Sequence, residues 1–356
     1  MATIVITTVN GCAHFTLSGT GNVTVKEGTG SENYTLANEL TLDTKICSSG
    51  TSISPTPRTI TITGAGITAF KCSTLSALNI SKDSLLTDID CSGSSLTSLD
   101  VSGLTALKTL DCHSSSCYSS KLTSLNASGC GSLETLRCDR NKLTSLNLTG
   151  CFSLKILNCS ENQLTNLDLN SFAAKHSFAS INNTFIHENK IGKPDLGDIV
   201  PPWGKPDVFK LVFTYLTELD CSYNKLTTLD ISKCIRLAKL ACEYNLFTSL
   251  NISLNSLREI SFGNSQLLNF NIKGCTMLEV ISYYDSKMYE LDFSKFAYLK
   301  RFECYVSNFN ATLNLSDCPV LETILMQYPV SWYGAKIIVD GCTALNEIIF
   351  GNTGPN

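Results

Sequence analysis

The chain has 356 residues, a formal net charge of −4 and only 16% charged residues. This balance argues against a nucleic-acid-binding protein, which needs a basic face, and no run reaches the roughly 18 apolar residues of a membrane span. The opening MATIVITTVNGC lacks the basic start and long apolar run of a signal peptide. We therefore expect either a protein that the general secretion route does not export, or a mature chain that received its Met after a leader was removed.

Residues 1–66 consist of short Thr- and Val-rich runs separated by Gly, Asn and Ser: TIVITT, HFTLSG, NVTVKEG, ELTLDT and RTITITG. Such runs are typical of strands joined by tight turns, so we predict a small β domain here. Two roles stay open for it. It covers the apolar edge of the first repeat, as the ends of repeat arrays require, or it attaches the chain to a larger assembly or to a second copy.

From about Leu75 onward one pattern recurs, and LETLRCDRNKLTSLNLTGCFS (Leu133 to Ser153) shows it most clearly. A period of 20–29 residues with the core L-x-x-L-x-L-x-x-N-x-L is the sequence signature of a leucine-rich repeat. The leucine that opens L-T-x-L-(D/N)-x-S, or its replacement, recurs mostly every 20 or 21 residues, at Leu75, Leu96, Leu122, Leu143, Leu164, Leu226, Phe247, Leu267, Met288 and Phe309.

These motifs resemble leucine-rich repeat proteins, and most closely the repeats LxxLxCxxNxLxxLxLS that are common in bacterial surface proteins. Each repeat holds two runs of alternating apolar and polar residues, such as LTSLNLT and LKILNCS, which predict a strand on each side of a flattened coil. We predict a mainly β fold: a solenoid of about 11 turns over residues 67–356, with two short strands per turn, preceded by the small β domain. The resemblance says little about function, because this fold hosts many unrelated binding roles.

Most of the 17 cysteines occupy two positions of the repeat. Other repeats hold Leu, Phe or Met at the same positions, so cysteine replaces a core hydrophobe there, and we predict buried, reduced thiols. The cysteines at these positions lack the Cys-x-x-Cys or Cys/His spacing that a metal site needs. The first column contains Cys72, Cys91, Cys112, Cys138, Cys159, Cys221, Cys242 and Cys304, and the second contains Cys130, Cys151, Cys234, Cys275, Cys318 and Cys342. Cys12, Cys47 and Cys117 lie outside both columns.

A large insertion interrupts the repeats at 173–215. The spacing from Leu164 to Leu226 is 62 residues, and subtracting one 21-residue repeat leaves 41 extra residues. Insertions in repeat proteins often belong to the binding face, so the aromatic residues Phe185, Trp203 and Phe209 are candidate partner-binding residues. Packing, self-assembly and a neutral insertion remain the alternatives.

Tyrosines accumulate at solvent-facing positions of the C-terminal repeats, where they are interleaved with Asp and Glu. The tyrosines concerned are Tyr223, Tyr244, Tyr284, Tyr305 and Tyr328. Tyrosine supplies rigid contact area and a hydroxyl, and it is enriched in recognition surfaces. Two interpretations stay open: an aromatic ladder that only stabilises neighbouring turns, or a face that binds sugar hydroxyls or a basic patch on a protein.

The sequence holds no convincing catalytic set, since the four histidines are not spaced as a site and the G-x-x-x-x-G-K-[ST] and G-x-S-x-G motifs are absent. We therefore predict a recognition or adhesion protein that is not an enzyme and has no cofactor or metal. In this prediction the solenoid face and the insertion bind a protein or glycan on a cell surface, and residues 1–66 attach the chain to a larger assembly. The predicted location is a bacteriophage virion or a bacterial cell surface. The alternatives are a purely structural assembly component and a cytoplasmic scaffold for protein–protein interaction.

Overall fold

The computed structural model describes residues 2–8, 14–43, 57–82, 84–115, 121–172, 174–181, 184–187, 190–191, 208–263, 266–284, 290–306, 311–327 and 336–351. Within these residues every regular secondary-structure element is a β-strand. No helix in the described part of the chain is long and apolar enough to cross a membrane.

The strands fall into four groups along the chain. The N-terminal part contains β1 (Ala2–Thr8), β2 (His14–Glu27), β3 (Gly30–Asp43), β4 (Thr59–Gly64), β5 (Ile67–Cys72) and β6 (Leu75–Ile80). The repeats before the insertion contain β7 (Asp88–Asp90), β8 (Ser98–Asp100), β9 (Thr109–Asp111), β10 (Ser124–Asn126), β11 (Thr135–Arg137) and β12 (Ile156–Asn158). The insertion contains β13 (Ala174–Ile181), β14 (Thr184–His187), β15 (Lys190–Ile191) and β16 (Val208–Phe213). The remaining repeats contain β17 (Glu218–Asp220), β18 (Lys239–Ala241), β19 (Ser249–Asn251), β20 (Glu259–Phe262), β21 (Asn269–Asn271), β22 (Val280–Tyr284), β23 (Glu290–Asp292), β24 (Arg301–Tyr305), β25 (Thr312–Asn314), β26 (Thr323–Gln327), β27 (Lys336–Ile338) and β28 (Glu347–Gly351).

One long parallel sheet runs along the repeats. Its strands pair in the order β5, β7, β9, β11, β12, β17, β18, β20, β22, β24, β26 and β28. The second strand of the turn forms shorter parallel groups, β8–β10, β19–β21 and β23–β25–β27. The chain is therefore a leucine-rich repeat solenoid of about 10 turns, and the predicted fold class is confirmed.

The core of the solenoid is built from stacked leucines and cysteines, because each turn places the same apolar positions over those of the previous turn. Leu110, Leu136 and Leu157 are neighbours in this stack and are fully buried. Cysteines of both columns are free thiols, and all are buried except Cys342, which is half-buried. The prediction of buried, reduced cysteines is confirmed for both columns, whereas Cys12, Cys47 and Cys117 lie outside the described residues.

The second cysteine column adds a hydrogen bond to its packing. Most of these thiols donate to a backbone carbonyl of the preceding turn, as in Cys130 Sγ to Val101 O at 3.1 Å and Cys151 Sγ to Ala127 O at 3.1 Å. Burial raises the pKa of the Cys151 thiol to about 12, so it remains a neutral donor. A leucine in this column has no such donor, which gives cysteine a physical advantage there.

The N-terminal strands close the first end of the solenoid. β2 pairs with β3 along its whole length, while its opposite edge pairs with β5 over 15–19 and with β4 over 23–27. β1 then joins β4 to β6, and apolar side chains such as Ile4 and Leu17 are buried in the same core as the repeats. The division of β2 between two partners needs glycine, because a Cβ on Gly19 would lie 1.9 Å from Gly66 O. The domain boundary after residue 66 and the attachment role stay predictions.

The insertion forms a separate antiparallel sheet in the order β15, β14, β13 and β16. The long parallel sheet is not interrupted by the insertion, because β12 pairs directly with β17 and Leu157 lies beside Leu219. The periodic frame of the solenoid is therefore continuous across the insertion.

Candidate functional site

A ladder of buried asparagines fixes the backbone beside the parallel sheet. The Asn224 Nδ2 donates towards three carbonyl oxygens, those of Cys159 at 3.0 Å, Cys221 at 3.1 Å and Ser222 at 3.1 Å, and its Oδ1 accepts from Leu164 N at 2.9 Å. The three Nδ2 contacts recur at the other members of the ladder, Asn141, Asn162 and Asn245, and the Oδ1 contact recurs at Asn162 and Asn245. Each bond set ties one turn to the next, so the ladder holds the outer rim of the sheet in register.

The residue before each of these asparagines adopts a left-handed backbone conformation. Tyr223 and Tyr244 occupy this position, each with φ of 52°, and both remain exposed, at 47% and 38%. Tyr284 and Tyr305 instead lie at the ends of β22 and β24, where alternation places them on the outer face of the sheet. Two different backbone positions therefore supply tyrosines to one edge of the sheet.

The four tyrosines form one continuous aromatic ladder, which we call the tyrosine ladder. Tyr223 and Tyr244 stack with ring centroids 4.4 Å apart, and Tyr284 and Tyr305 stack at 4.7 Å. Tyr244 meets Tyr284 edge-on, with centroids 5.8 Å apart. Of the predicted partner-binding residues, these four are brought together.

A glycine makes the middle of the ladder possible. Gly263 occupies the turn between Tyr244 and Tyr284 and has φ of 124°, and a Cβ at this position would lie 1.9 Å from Tyr284 O. The Gly263 carbonyl also accepts a hydrogen bond from Tyr244 N at 2.8 Å. Gly263 itself adds no side chain here, and a larger residue at this position would displace the backbone that carries Tyr284.

Carboxylates lie beneath the tyrosine ladder. The Tyr305 hydroxyl donates to Glu303 Oε2 at 3.0 Å, and Ser282 Oγ donates to the same oxygen at 2.9 Å. Glu243 is buried and accepts from Ser261 Oγ at 2.7 Å. Burial raises the pKa of Tyr223 to about 12, so its hydroxyl stays a neutral hydrogen-bond donor.

Burial also raises the pKa of the Glu243 carboxyl above its ordinary 4.5, and the Ser261 hydrogen bond only partly opposes this. The folded protein thus holds this proton more tightly than the unfolded chain does. Its contribution to stability is fully present below the unfolded pKa and is lost as the pH rises through the folded pKa.

Glu243→Gln is therefore expected to become progressively more stable than the parent chain as the pH rises above the ordinary glutamate pKa. Thermal unfolding of both proteins between about pH 4 and about pH 8 measures this difference. Glu134→Gln is the comparison: the hydrogen-bonded ion pair of Glu134 with Lys155 lowers the pKa of its carboxyl. This variant is therefore expected to become less stable than the parent chain as the pH rises. A difference between Glu243→Gln and the parent that does not change with pH would contradict the burial argument.

A shallow groove of about 400 Å³ lies beside the tyrosine ladder on the outer face of the sheet. Small side chains form its floor where the strands carry Ala241, Ser261 and Ser282. Its rim carries alternating charges, including a Lys239–Glu259 ion pair at 3.1 Å. The ladder and the groove together make a surface with a floor of small side chains and an aromatic margin.

The structure gives less information on the other four predicted site residues. Tyr328 and Trp203 lie outside the described residues, and Phe185 and Phe209 belong to β14 and β16 of the insertion. A partner-binding role for all eight predicted residues stays a prediction. Sequence reasoning missed Gly263, although the replacement of C-x-x-N by F-G-N-S in this repeat is a visible signal.

Among the described residues, no group of three or more His, Cys, Asp or Glu side chains is placed to hold a metal ion.

No protein-family model matches the chain, and no curated protein matches it significantly. The solved structures that resemble it include the following three. The functional domain of InlJ from Listeria monocytogenes, which includes a cysteine ladder, is 27% identical with a TM-score of 0.44, and the match covers 68% of this chain and 50% of InlJ. The leucine-rich repeat domain of APL1B is 14% identical with a TM-score of 0.36, covering 74% and 64%. An internalin (InlF) from Listeria monocytogenes strain 4b F2365 is 13% identical with a TM-score of 0.38, covering 75% and 81%.

The chain spans half the length of the InlJ structure that it matches. The assignment of the fold depends on this chain's own repeats and strand pairing. Those observations place the chain among leucine-rich repeat solenoids.

Proposed function

We propose that the tyrosine ladder and the adjoining groove bind a partner protein. The observation that carries this proposal is that Tyr223 and Tyr244 stay 47% and 38% exposed while they stack on each other. A core does not need these rings, since the leucine and cysteine stack is already closed beneath them. Stacking and the asparagine ladder hold the rings in place before binding, which lowers the entropy cost of forming an interface.

The orientation of the rings favours a protein over a glycan. A sugar ring stacks on the face of an aromatic ring, but the facing surfaces of Tyr223 and Tyr244 cover each other at 4.4 Å. Stacked rings present their edges and hydroxyls, which carry partial positive charge and suit carbonyl and carboxylate acceptors. A protein surface supplies such acceptors at regular spacing along an exposed loop or strand.

A finer form of the proposal places the partner on a cell surface and gives residues 1–66 the task of holding the solenoid on a larger assembly, such as a bacteriophage virion. This form is supported by the resemblance of the repeats to LxxLxCxxNxLxxLxLS, a pattern that is common in bacterial surface proteins. Detection of the chain in purified particles, in cell envelopes or in cytosol distinguishes the virion, cell-surface and scaffold versions.

Fluorescently labelled full-length chain, added to a panel of intact bacterial strains, tests the binding proposal. The double substitution Tyr223→Ala with Tyr244→Ala is expected to weaken saturable binding at least about tenfold, as the loss of central aromatic contacts does at interfaces. Tyr298→Ala is the matched control, because Tyr298 is 50% exposed but lies outside the ladder. Protease treatment of the cells is expected to abolish binding, and periodate treatment is expected to leave it intact.

Equal binding by the double variant and the parent chain would remove the tyrosine ladder from the interface. Binding that survives protease and is lost after periodate would replace the protein partner with a glycan. Unchanged melting temperatures in the two tyrosine variants separate a lost contact from a lost fold.

A further inference from the structure

The strand β3 ends the antiparallel part of the large sheet. Within the described residues, all 14 residues of β3 pair with β2, without a register shift, and β3 pairs with no other strand. One side of β3 therefore presents a row of backbone donors and acceptors, along which Asn38 departs from regular strand geometry with a φ of 143°. Such a row is a template for a further strand.

This edge carries three carboxylates, but it lacks the cations and prolines that most often protect exposed strands. Its sequence, GSENYTLANELTLD, contains no Lys, Arg or Pro. Its core-facing side chains are also incompletely covered: Leu36 is buried, but Tyr34, Leu40 and Leu42 are only half-buried. An added strand would cover these three side chains and extend the core.

We propose that β3 of a second copy of this chain supplies the added strand. The two copies then pair antiparallel through β3 around a two-fold axis at Ala37. The core-facing residues of β3 are even-numbered. The cores of the two copies therefore lie on the same side of the joined sheet only if even-numbered residues of one copy pair with even-numbered residues of the other. With Ala37 opposite Ala37 of the second copy, the residue numbers in each pair add up to 74, so Tyr34 faces Leu40. In this register 13 of the 14 residues of β3 have a partner.

Charge is compatible with this register. β3 carries three carboxylates and no cation, and like charges directly opposite each other destabilise a strand pair. In the proposed register Glu32 faces Leu42, Glu39 faces Thr35 and Asp43 faces Ser31, so each carboxylate meets a neutral residue. The edge is therefore self-complementary, as a two-fold interface requires.

Sedimentation velocity of the full chain between about 1 and about 100 µM tests the proposal. The parent chain is expected to reach twice the monomer mass. The double substitution Asn33→Lys with Thr41→Lys places lysine against lysine twice, because 33 and 41 add up to 74, and is expected to weaken association at least about tenfold. Asn33→Lys alone faces Thr41 and is expected to dimerise nearly as well as the parent. All these positions are exposed, so the melting temperature is expected to stay close to that of the parent.

Disulfide trapping checks the register directly. Ala37→Cys is expected to form a disulfide-linked dimer under mild oxidation, because residue 37 meets itself at the axis at the Cβ separation of paired strands. Asn33→Cys and the parent chain are the controls, and neither is expected to cross-link through β3. A monomer over the whole concentration range, a dimer indifferent to the double lysine substitution, or an Ala37→Cys protein that does not cross-link would each overturn the proposal.

Discussion

Replacing Asn224 with alanine is expected to lower the free energy of unfolding by about 3 kcal/mol or more, because buried hydrogen-bonding groups left without partners cost about 1–3 kcal/mol each. The substitution removes the donor shared by the Cys159, Cys221 and Ser222 carbonyls and the acceptor of Leu164 N. Asn224 also joins the turns on either side of the insertion, so no other side chain of the asparagine ladder replaces it at this junction. Urea unfolding monitored by circular dichroism measures the effect.

Asn251→Ala is the matched control, since Asn251 lies on β19 of the second strand group and is exposed. Its substitution is expected to change stability by less than about 0.5 kcal/mol. If Asn224→Ala were as stable as this control, the asparagine ladder would not be what holds the turns in register.

Replacing Gly263 with alanine is expected to be comparably severe, at about 3 kcal/mol or more, because a strained backbone conformation and a steric contact add together. The new Cβ would lie 1.9 Å from Tyr284 O at a φ of 124°, so the main chain of one turn has to move. That movement separates Tyr244 from Tyr284, and partner binding is expected to fall together with stability.

Gly131→Ala provides the comparison for this substitution. A Cβ on Gly131 has its nearest contact at 3.9 Å, to Gly150 O, so its stability is expected to change by less than about 1 kcal/mol. Thermal unfolding of the two glycine variants measures the difference. If Gly263→Ala had the same melting temperature as Gly131→Ala, the rim of the sheet would accommodate a side chain at residue 263, and the steric argument would be wrong.

The repeat period accounts for most of what sequence reasoning predicted correctly. A pattern of fixed length allows the same position to be compared in many turns, and Cys138 is assigned to the core because Phe262 and Met326 stand at its position. The same comparison places Tyr223 and Tyr244 on the outer face. Burial and exposure in a solenoid follow from position in the repeat, so both assignments need no knowledge of distant contacts.

Contacts that depend on the departures from the repeat were not predictable in the same way. The backbone at residue 263 approaches Tyr284 so closely that only glycine fits, and the two neighbouring repeats have Glu243 and Tyr284 at this position. The division of β2 between β4 and β5 depends on the close approach of Gly19 and Gly66, which are distant in sequence. Alternation predicts strands in residues 1–66, but it does not state which strands pair.

The direct pairing of β12 with β17 has a consequence for how this molecule can change over time. Closing a 62-residue loop instead of a 21-residue one costs only about 1 kcal/mol of chain entropy. We therefore expect that the segment between them can be exchanged, and that its length and composition can change under selection for a new target while the solenoid stays the same. A protein engineer has the same freedom, and this junction is the place to graft a foreign binding loop.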